Sequence, residues 1–298
     1  MKSIKYFKPI VIAEIGCNHQ GNLKKAKTLI EAAAQSGASY AKFQKRNNKF
    51  LLKEGYNEPH PNPDNSFGKT YGLHRDYLEL SINDHIYLSK ICKKNNIKYA
   101  TSVWEVESAK EIIKSKIKMD FIKIPSACNL DYDLIYYLIK NFKKKIHLST
   151  GMTSEYEIKK VIKLFKKYNR NKDLVLYVCT SSYPCDFKDL NLIDISNFKR
   201  KFGKQVSEIA FSGHHLGISS DISAYTLGAR YIERHFTIDR TWKGTDQPAS
   251  LEPGGLTKLV RDLKSVYLSL NSKMGKILKS ELEQRKKLKK NITLTKNI

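Results

Sequence analysis

Short apolar runs alternate with amphipathic segments along nearly the whole chain. Residues 10–15, 39–44, 99–103, 121–124, 145–150, 174–179, 209–212 and 231–235 are brief runs rich in β-branched and aromatic residues, as buried strands require. Between and after them lie helical patterns at residues 23–35, 82–94, 105–116, 132–141, 154–168, 190–202, 218–228 and 256–270. Eight strand–helix pairs in unbroken order predict a (β/α)₈ TIM barrel spanning residues 1–272. A doubly wound open sheet is the runner-up, but no GxGxxG or GxxxxGK[ST] motif supports it. Residues 47–80 are polar, carry Pro59, Pro61 and Pro63, and read as a long functional loop. Residues 273–298 read as a basic helix and tail with no second globular domain.

Active sites of such barrels form at the C-terminal ends of the strands. The polar residues at those ends are therefore informative. The first strand carries Glu14 inside an apolar run, a costly placement unless the carboxylate is paired or used. The second places Lys42 and Gln44 on one face, and the third ends in Ser102. The fourth carries Lys123, followed by Ser126; the fifth ends in Ser149; the sixth leads into Ser181 and Tyr183. The seventh ends in Ser212, His214 and His215, and the eighth in His235, with Asp246 shortly after. Alternation puts Ser212 and His214 on one face and turns His215 away. His214 and His235 are therefore the candidate metal pair, with His215 in the wall. Lys42 and Lys123 among serine hydroxyls suit a phosphate dianion, and Glu14, Asp246 and the two histidines suit a divalent ion with open positions.

Composition changes this picture little. Net charge is +25, from 54 Lys and Arg against 29 Asp and Glu. The lysines are scattered, apart from the block at 285–290, so solvated helix faces are the expected reading rather than a nucleic-acid surface. No apolar run approaches the length of a membrane span, and the N-terminus lacks a signal-peptide core. Five cysteines without a CxxC pair point to reduced thiols and the cytoplasm.

Seven stretches together carry a family resemblance: AEIGCNHQG (13–21), AKFQK (41–45), NSFGKTYGLHRDYLELS (65–81), STGM (149–152), CTSSYP (179–184), FSGHH (211–215) and ERHFTIDRTWKGTDQPASLEP (233–253). The chain resembles the sialic acid synthases, which condense phosphoenolpyruvate with an amino-hexose. Several stretches are closer to the animal-type synthases that use a sugar phosphate. The resemblance implies that His214 and His235 ligate Mn²⁺, with Mg²⁺ or Co²⁺ as alternatives, and that Glu14 and Asp246 flank the metal and its water. It implies a phosphoenolpyruvate site of Lys42, Gln44, Ser102, Lys123, Ser126, Ser149, Ser181, Tyr183 and Ser212. Asn65, Tyr71 and His74 would border the acceptor sugar.

Three departures stand out. Cys128 occupies a sugar-facing position where these synthases commonly carry an acidic residue, and Leu73 replaces a frequent glutamate. The family's small antifreeze-like domain, which lends an arginine to a partner subunit, has no counterpart in the sequence. A homodimer is still expected. The rival readings are a non-catalytic sugar-acid-binding barrel, a related synthase with another aldose acceptor, and a basic nucleic-acid-associated protein.

Overall fold

The alternation of small or branched residues in the strands is satisfied by closing the sheet on itself. The computed structural model describes residues 6–52 and 54–290. The chain runs β1 (Ile10–Gly16), α1 (Leu23–Gln35), β2 (Tyr40–Lys45), α2 (Asn48–Leu51), α3 (Tyr71–Leu78), α4 (Ile82–Lys94), β3 (Lys98–Val103) and α5 (Val106–Lys114). It continues β4 (Phe121–Ile124), α6 (Tyr132–Asn141), β5 (Lys145–Ser149), α7 (Glu155–Lys167), β6 (Leu174–Cys179), α8 (Ile193–Phe202), β7 (Glu208–Gly213), α9 (Ser219–Thr226), β8 (Tyr231–His235), α10 (Pro253–Ser269) and α11 (Leu282–Leu288). All strands are parallel, and the barrel closes β1 against β8. The open-sheet alternative is thereby excluded.

Two cores follow from the period-2 alternation. Outward-facing Val11, Ala13, Ile15, Phe43, Ile122, Leu148 and Leu176 pack against the helix ring. Inward-facing Ile12, Tyr40, Phe121, Val175, Tyr177, Ala210 and Tyr231 fill the lower barrel. His147 stacks on Phe121 at 3.8 Å and meets the Tyr177 hydroxyl at 2.8 Å, which completes this plug. Above it every inward position is polar. The helices begin where the sequence offers caps: Ser81 with Asp84 and Ser154 with Glu157 form reciprocal capping boxes on α4 and α7.

The long loop at 47–80 is more ordered than its composition suggests. It contains α2 and α3, and α3 starts on a Thr70 side-chain cap. Its buried residues are Gly72, His74 and Leu78, so no apolar stripe betrays the helix in the sequence. At the other end α11 is fully exposed; the rest of the expected tail, 291–298, lies outside the described residues. Among the described residues, no helix is long and apolar enough to cross a membrane, and all five cysteines are free.

One buried charge cluster ties β7 to β8. Arg234 donates to Asp221 at 2.5 Å, to the Gly217 carbonyl at 2.8 Å and to the His215 carbonyl at 2.5 Å. His215 Nε2 lies 3.3 Å from Asp221, and all three side chains are sealed from solvent. His215 is thus turned away from the barrel mouth, as alternation requires, and anchors the loop that presents His214. Asp221→Ala would strand a buried guanidinium. It should cost about 3–5 kcal/mol in denaturant unfolding, the usual range for breaking a buried pair.

Candidate active site

The strand register gathers the polar residues at the C-terminal mouth. Glu14 pairs in register with Lys42 on one side and His235 on the other. Gln44 faces Ser102, Ser102 faces Lys123, Cys179 faces Ser212, and Ser212 faces Glu233. They line a cavity of about 620 Å³ roofed by the loop carrying His60, Asn62, Asn65, Tyr71 and Arg75.

Its floor is a chain of buried charges. Lys42 Nζ lies 2.5 Å from Glu14 Oε2, donates to Ser102 Oγ at 2.9 Å and lies 3.6 Å from Glu233 Oε1. Lys123 donates to Glu233 Oε1 at 2.6 Å and sits 4.1 Å over the Tyr177 ring. Ser212 donates to the same Glu233 oxygen at 3.3 Å, and Gln44 donates to Glu14 Oε1 at 2.8 Å. Burial alone would raise the Glu233 carboxyl, but Lys123 and Lys42 outweigh it and hold it ionised, well below the usual range. Burial lowers both lysines. Glu14 and Glu233 more than restore Lys42, whereas Lys123, repelled by Lys42, stays below its ordinary value. The expected ring of hydroxyls around the two cations is therefore incomplete as a description: carboxylates neutralise them.

Glu233 was not singled out in the sequence. The signal was there, since it stands two residues before His235 on the same face of β8. Arg46, one residue beyond β2, and Arg75 on α3 are two further lining residues that motif reading passed over.

Beside the lysines is a cradle of small groups. A Cβ added to Gly151 would meet Ser181 Oγ at 2.3 Å and Ser126 Oγ at 2.7 Å, so a side chain there would displace both hydroxyls. Asn129 holds this turn by donating to the Ser149 and Gly151 carbonyls at 3.0 Å. Ser181 Oγ is buried with no hydrogen-bond partner, a donor left for a ligand.

On the opposite side are the imidazoles. His214 and His235 have ring centroids 5.4 Å apart, with the Tyr183 ring tilted against His214 at 4.0 Å. His214 Nδ1 contacts the Thr180 carbonyl at 2.9 Å, which fixes a tautomer with its Nε2 lone pair free. Burial, then the neighbouring His235, push the His214 pKa down to about 3, so the ring is neutral. His235 Nδ1 is buried without a hydrogen-bond partner, 3.5 Å from Asp246 Oδ2. Burial raises the Asp246 carboxyl, but His235, Arg75 and Arg46 outweigh it and hold it below the usual carboxylate range. Gly16, at φ +53°, lets β1 turn where a Cβ would lie 3.1 Å from Gln44, 3.3 Å from Asp246 and 3.4 Å from Glu14. Among the described residues, no group of three or more His, Cys, Asp or Glu is already gathered as a ligand set. A neutral imidazole with a free Nε2 and a second one with an orphaned nitrogen nevertheless fit a divalent ion with open positions.

All nine residues expected to bind phosphoenolpyruvate line the cavity, as do Glu14, His214, His235, Asp246, Asn65 and Tyr71. Two residues expected to face the sugar, His74 and Cys128, are not among those lining the cavity. His74 points away: its Nδ1 accepts from the Phe67 amide at 3.1 Å and its ring packs on His60 at 4.3 Å. It follows Tyr71 by three residues and precedes Arg75 by one, which places it about 100° around the helix from Arg75. Cys128 lies at the end of a 3₁₀ turn with its thiol packed in the outer core, where burial lifts its pKa to about 12; Ala127 lines the cavity instead.

The NeuB family profile matches residues 29–275. The chain belongs to the NeuB family. It is 37% identical over 289 residues to N-acetylneuraminate-9-phosphate synthase of Homo sapiens, covering 95% of this chain and 77% of that protein. It is 32% identical to N,N'-diacetyllegionaminic acid synthase of Campylobacter jejuni, covering 98% of this chain and 86% of that protein. The N-acetylneuraminic acid (sialic acid) synthetase from Leptospira borgpetersenii superposes with a TM-score of 0.79 at 27% identity, covering 98% of this chain and 97% of that one. NeuB family membership accounts for the closed barrel and for a mouth built from strand-end residues.

Proposed function

We propose that this chain condenses phosphoenolpyruvate with an N-acetylmannosamine-type amino-hexose, giving a sialic acid-like nine-carbon 2-keto acid and phosphate. The observation that carries this reading is the division of one cavity into a lysine–serine side and a histidine–carboxylate side. In the reaction, C3 of phosphoenolpyruvate bonds to the aldehyde carbon of the open-chain sugar. Water adds at C2, and phosphate leaves with cleavage of the C2–O bond.

Lys42 and Lys123 attract the anionic donor, and Ser126, Ser149 and Ser181 orient its phosphate around Gly151. His214 and His235 would hold a divalent ion, Mn²⁺ by preference, and that ion when bound polarises the acceptor's aldehyde oxygen. Glu14 and Asp246 line the cavity on the histidine side and can orient the water and accept its protons. Tyr183 closes the side of the cavity over both imidazoles.

The test is direct. The protein is incubated with phosphoenolpyruvate, Mn²⁺ and a panel of hexosamines, and phosphate release and product mass are followed. Acceptor-dependent phosphate release with a nine-carbon keto acid is the expected result. Release without an acceptor, or none with any hexosamine, would overturn the reading.

A further inference from the structure

The fold sorts charges that are scattered along the sequence. The turns that enter β3, β4, β5 and β6, at residues 93–98, 114–120, 140–145 and 166–173, carry 14 Lys or Arg against two Asp. The turns that leave the same strands, at residues 104–105, 125–131, 150–154 and 180–192, carry one Lys against four Asp or Glu. Because all strands are parallel, the first set lies at the end of the barrel opposite the mouth. Helix dipoles account for cations in last turns, such as Lys93 and Lys94 on α4. They do not account for Lys116 and Lys118, which stand beyond the end of α5. Those two line a groove of about 560 Å³ with Lys90, Lys93, Lys98 and Lys144. Its one acidic lining residue, Asp120, is taken by Lys98 at 2.7 Å and by the Tyr40 hydroxyl at 2.7 Å.

The segment after α10 adds a second feature at the same end. Tyr267, near the end of α10, neighbours Tyr225 on α9, whose ring meets Tyr6 just ahead of β1. Residues 273–290 then carry eight Lys or Arg and two Glu. Among these charges stand Met274, Ile277, Leu278, Leu282 and Leu288, which are 43–89% exposed. Large apolar side chains grouped in water mark a surface that something covers. A nucleic acid would neutralise the lysines but gains little from aliphatic side chains, since bases stack on aromatic ones. The headgroup region of an anionic bilayer takes both, cations at the phosphates and aliphatic groups at the acyl boundary. A planar partner also suits charge spread over one end of the barrel rather than gathered into one pocket.

We infer that the end of the barrel opposite the mouth, together with residues 273–290, docks on an anionic membrane surface. The apolar side chains of the tail enter the interface, the turn lysines face the lipid headgroups, and the active-site mouth opens away from the bilayer. This concerns the other end of the molecule and stands apart from the condensation reading.

The experiment sediments the full chain with vesicles of phosphatidylcholine alone and of phosphatidylcholine mixed with phosphatidylserine at about 2:1. Binding should be at least about tenfold tighter to the anionic vesicles. It should collapse between about 0.1 M and about 1 M salt, as the screening length falls from about 10 Å to about 3 Å. The double variants Leu278→Asp/Leu282→Asp and Lys116→Glu/Lys118→Glu should each weaken it by about tenfold or more. All four positions lie outside both cores and the cavity, so circular dichroism and any turnover should match wild type. No sedimentation with anionic vesicles would overturn the inference. So would vesicle binding that either variant leaves intact, or a dimer that the leucine variant splits while vesicle binding is unchanged. Binding of single-stranded RNA without binding of vesicles would assign the basic end to nucleic acid instead.

Discussion

His214→Ala and His235→Ala should each abolish condensation while leaving the barrel folded. Both side chains stand at the cavity wall rather than in either core, so truncation leaves the packing of β7 and β8 in place. The stability cost should stay near about 1 kcal/mol, the centre of the range for single substitutions. The activity cost is set by a different quantity. Lewis-acid polarisation of an aldehyde supplies several kcal/mol to the transition state, so loss of a ligand should lower kcat about 100- to 10,000-fold. Asp246→Asn should fall less, about 10- to 100-fold, because Asn keeps the shape beside His235 and Glu14 remains to orient the water. Chelation should silence the wild type, and added Mn²⁺ should restore the wild type but neither alanine variant. Circular dichroism and denaturant melts separate this from unfolding. Undiminished turnover in either folded alanine variant would remove the histidine pair from the mechanism.

The parts of this site that were readable in the sequence share one property: they lie on strands. A period of 2 fixes which side chains face the barrel, so Glu14, Lys42, Gln44, Ser102, Lys123, Ser149 and Ser212 could be placed from alternation, and all line the cavity. The same rule would have placed Glu233, but a charged residue followed by Arg234 and His235 drew attention to the histidine alone. What was not readable lies on the roof. The helix α3 buries His74 and Gly72 rather than an apolar stripe, and three prolines precede it, so neither its existence nor its facing could be inferred from periodicity. His74 was placed at the sugar by the family resemblance alone, whereas its neighbour Arg75 is the residue that lines the cavity. Cys128, likewise placed at the sugar by the resemblance, ends a 3₁₀ turn whose successive residues point in different directions, and Ala127 lines the cavity in its place.

Glu233→Gln should be the most damaging single-atom exchange in the floor, and its signature should be pH-dependent. The carboxylate is 3% exposed and is contacted by Lys123 at 2.6 Å, Ser212 at 3.3 Å and Lys42 at 3.6 Å. An amide of the same shape preserves packing but cannot balance two ammonium groups. Lys42 keeps Glu14 as a partner; Lys123 keeps none. Burial and Lys42 already hold Lys123 below its ordinary pKa, and removal of Glu233 takes away the largest opposing influence. While Lys123 remains protonated, the variant should be about 3–5 kcal/mol less stable than wild type. A cation whose folded pKa is depressed binds fewer protons folded than unfolded above that pKa. Stability therefore rises with pH through the window between the folded and unfolded values, and the deficit should narrow as pH increases. Affinity for phosphoenolpyruvate should move the other way. A neutral Lys123 loses a charge-assisted contact worth about 1.5–3 kcal/mol, so the KM should climb about 10- to 100-fold as the pH rises. In wild type, Glu233 opposes that loss of charge, and the KM should vary less with pH. The competing view is that the carboxylates merely block the lysines, so that phosphoenolpyruvate must displace Glu233 to bind. That view predicts tighter donor binding in Glu233→Gln, with no pH dependence. Donor KM measured against pH, alongside denaturant unfolding at the same pH values, separates the two, because only a carboxylate that keeps Lys123 charged makes stability and affinity respond in opposite directions.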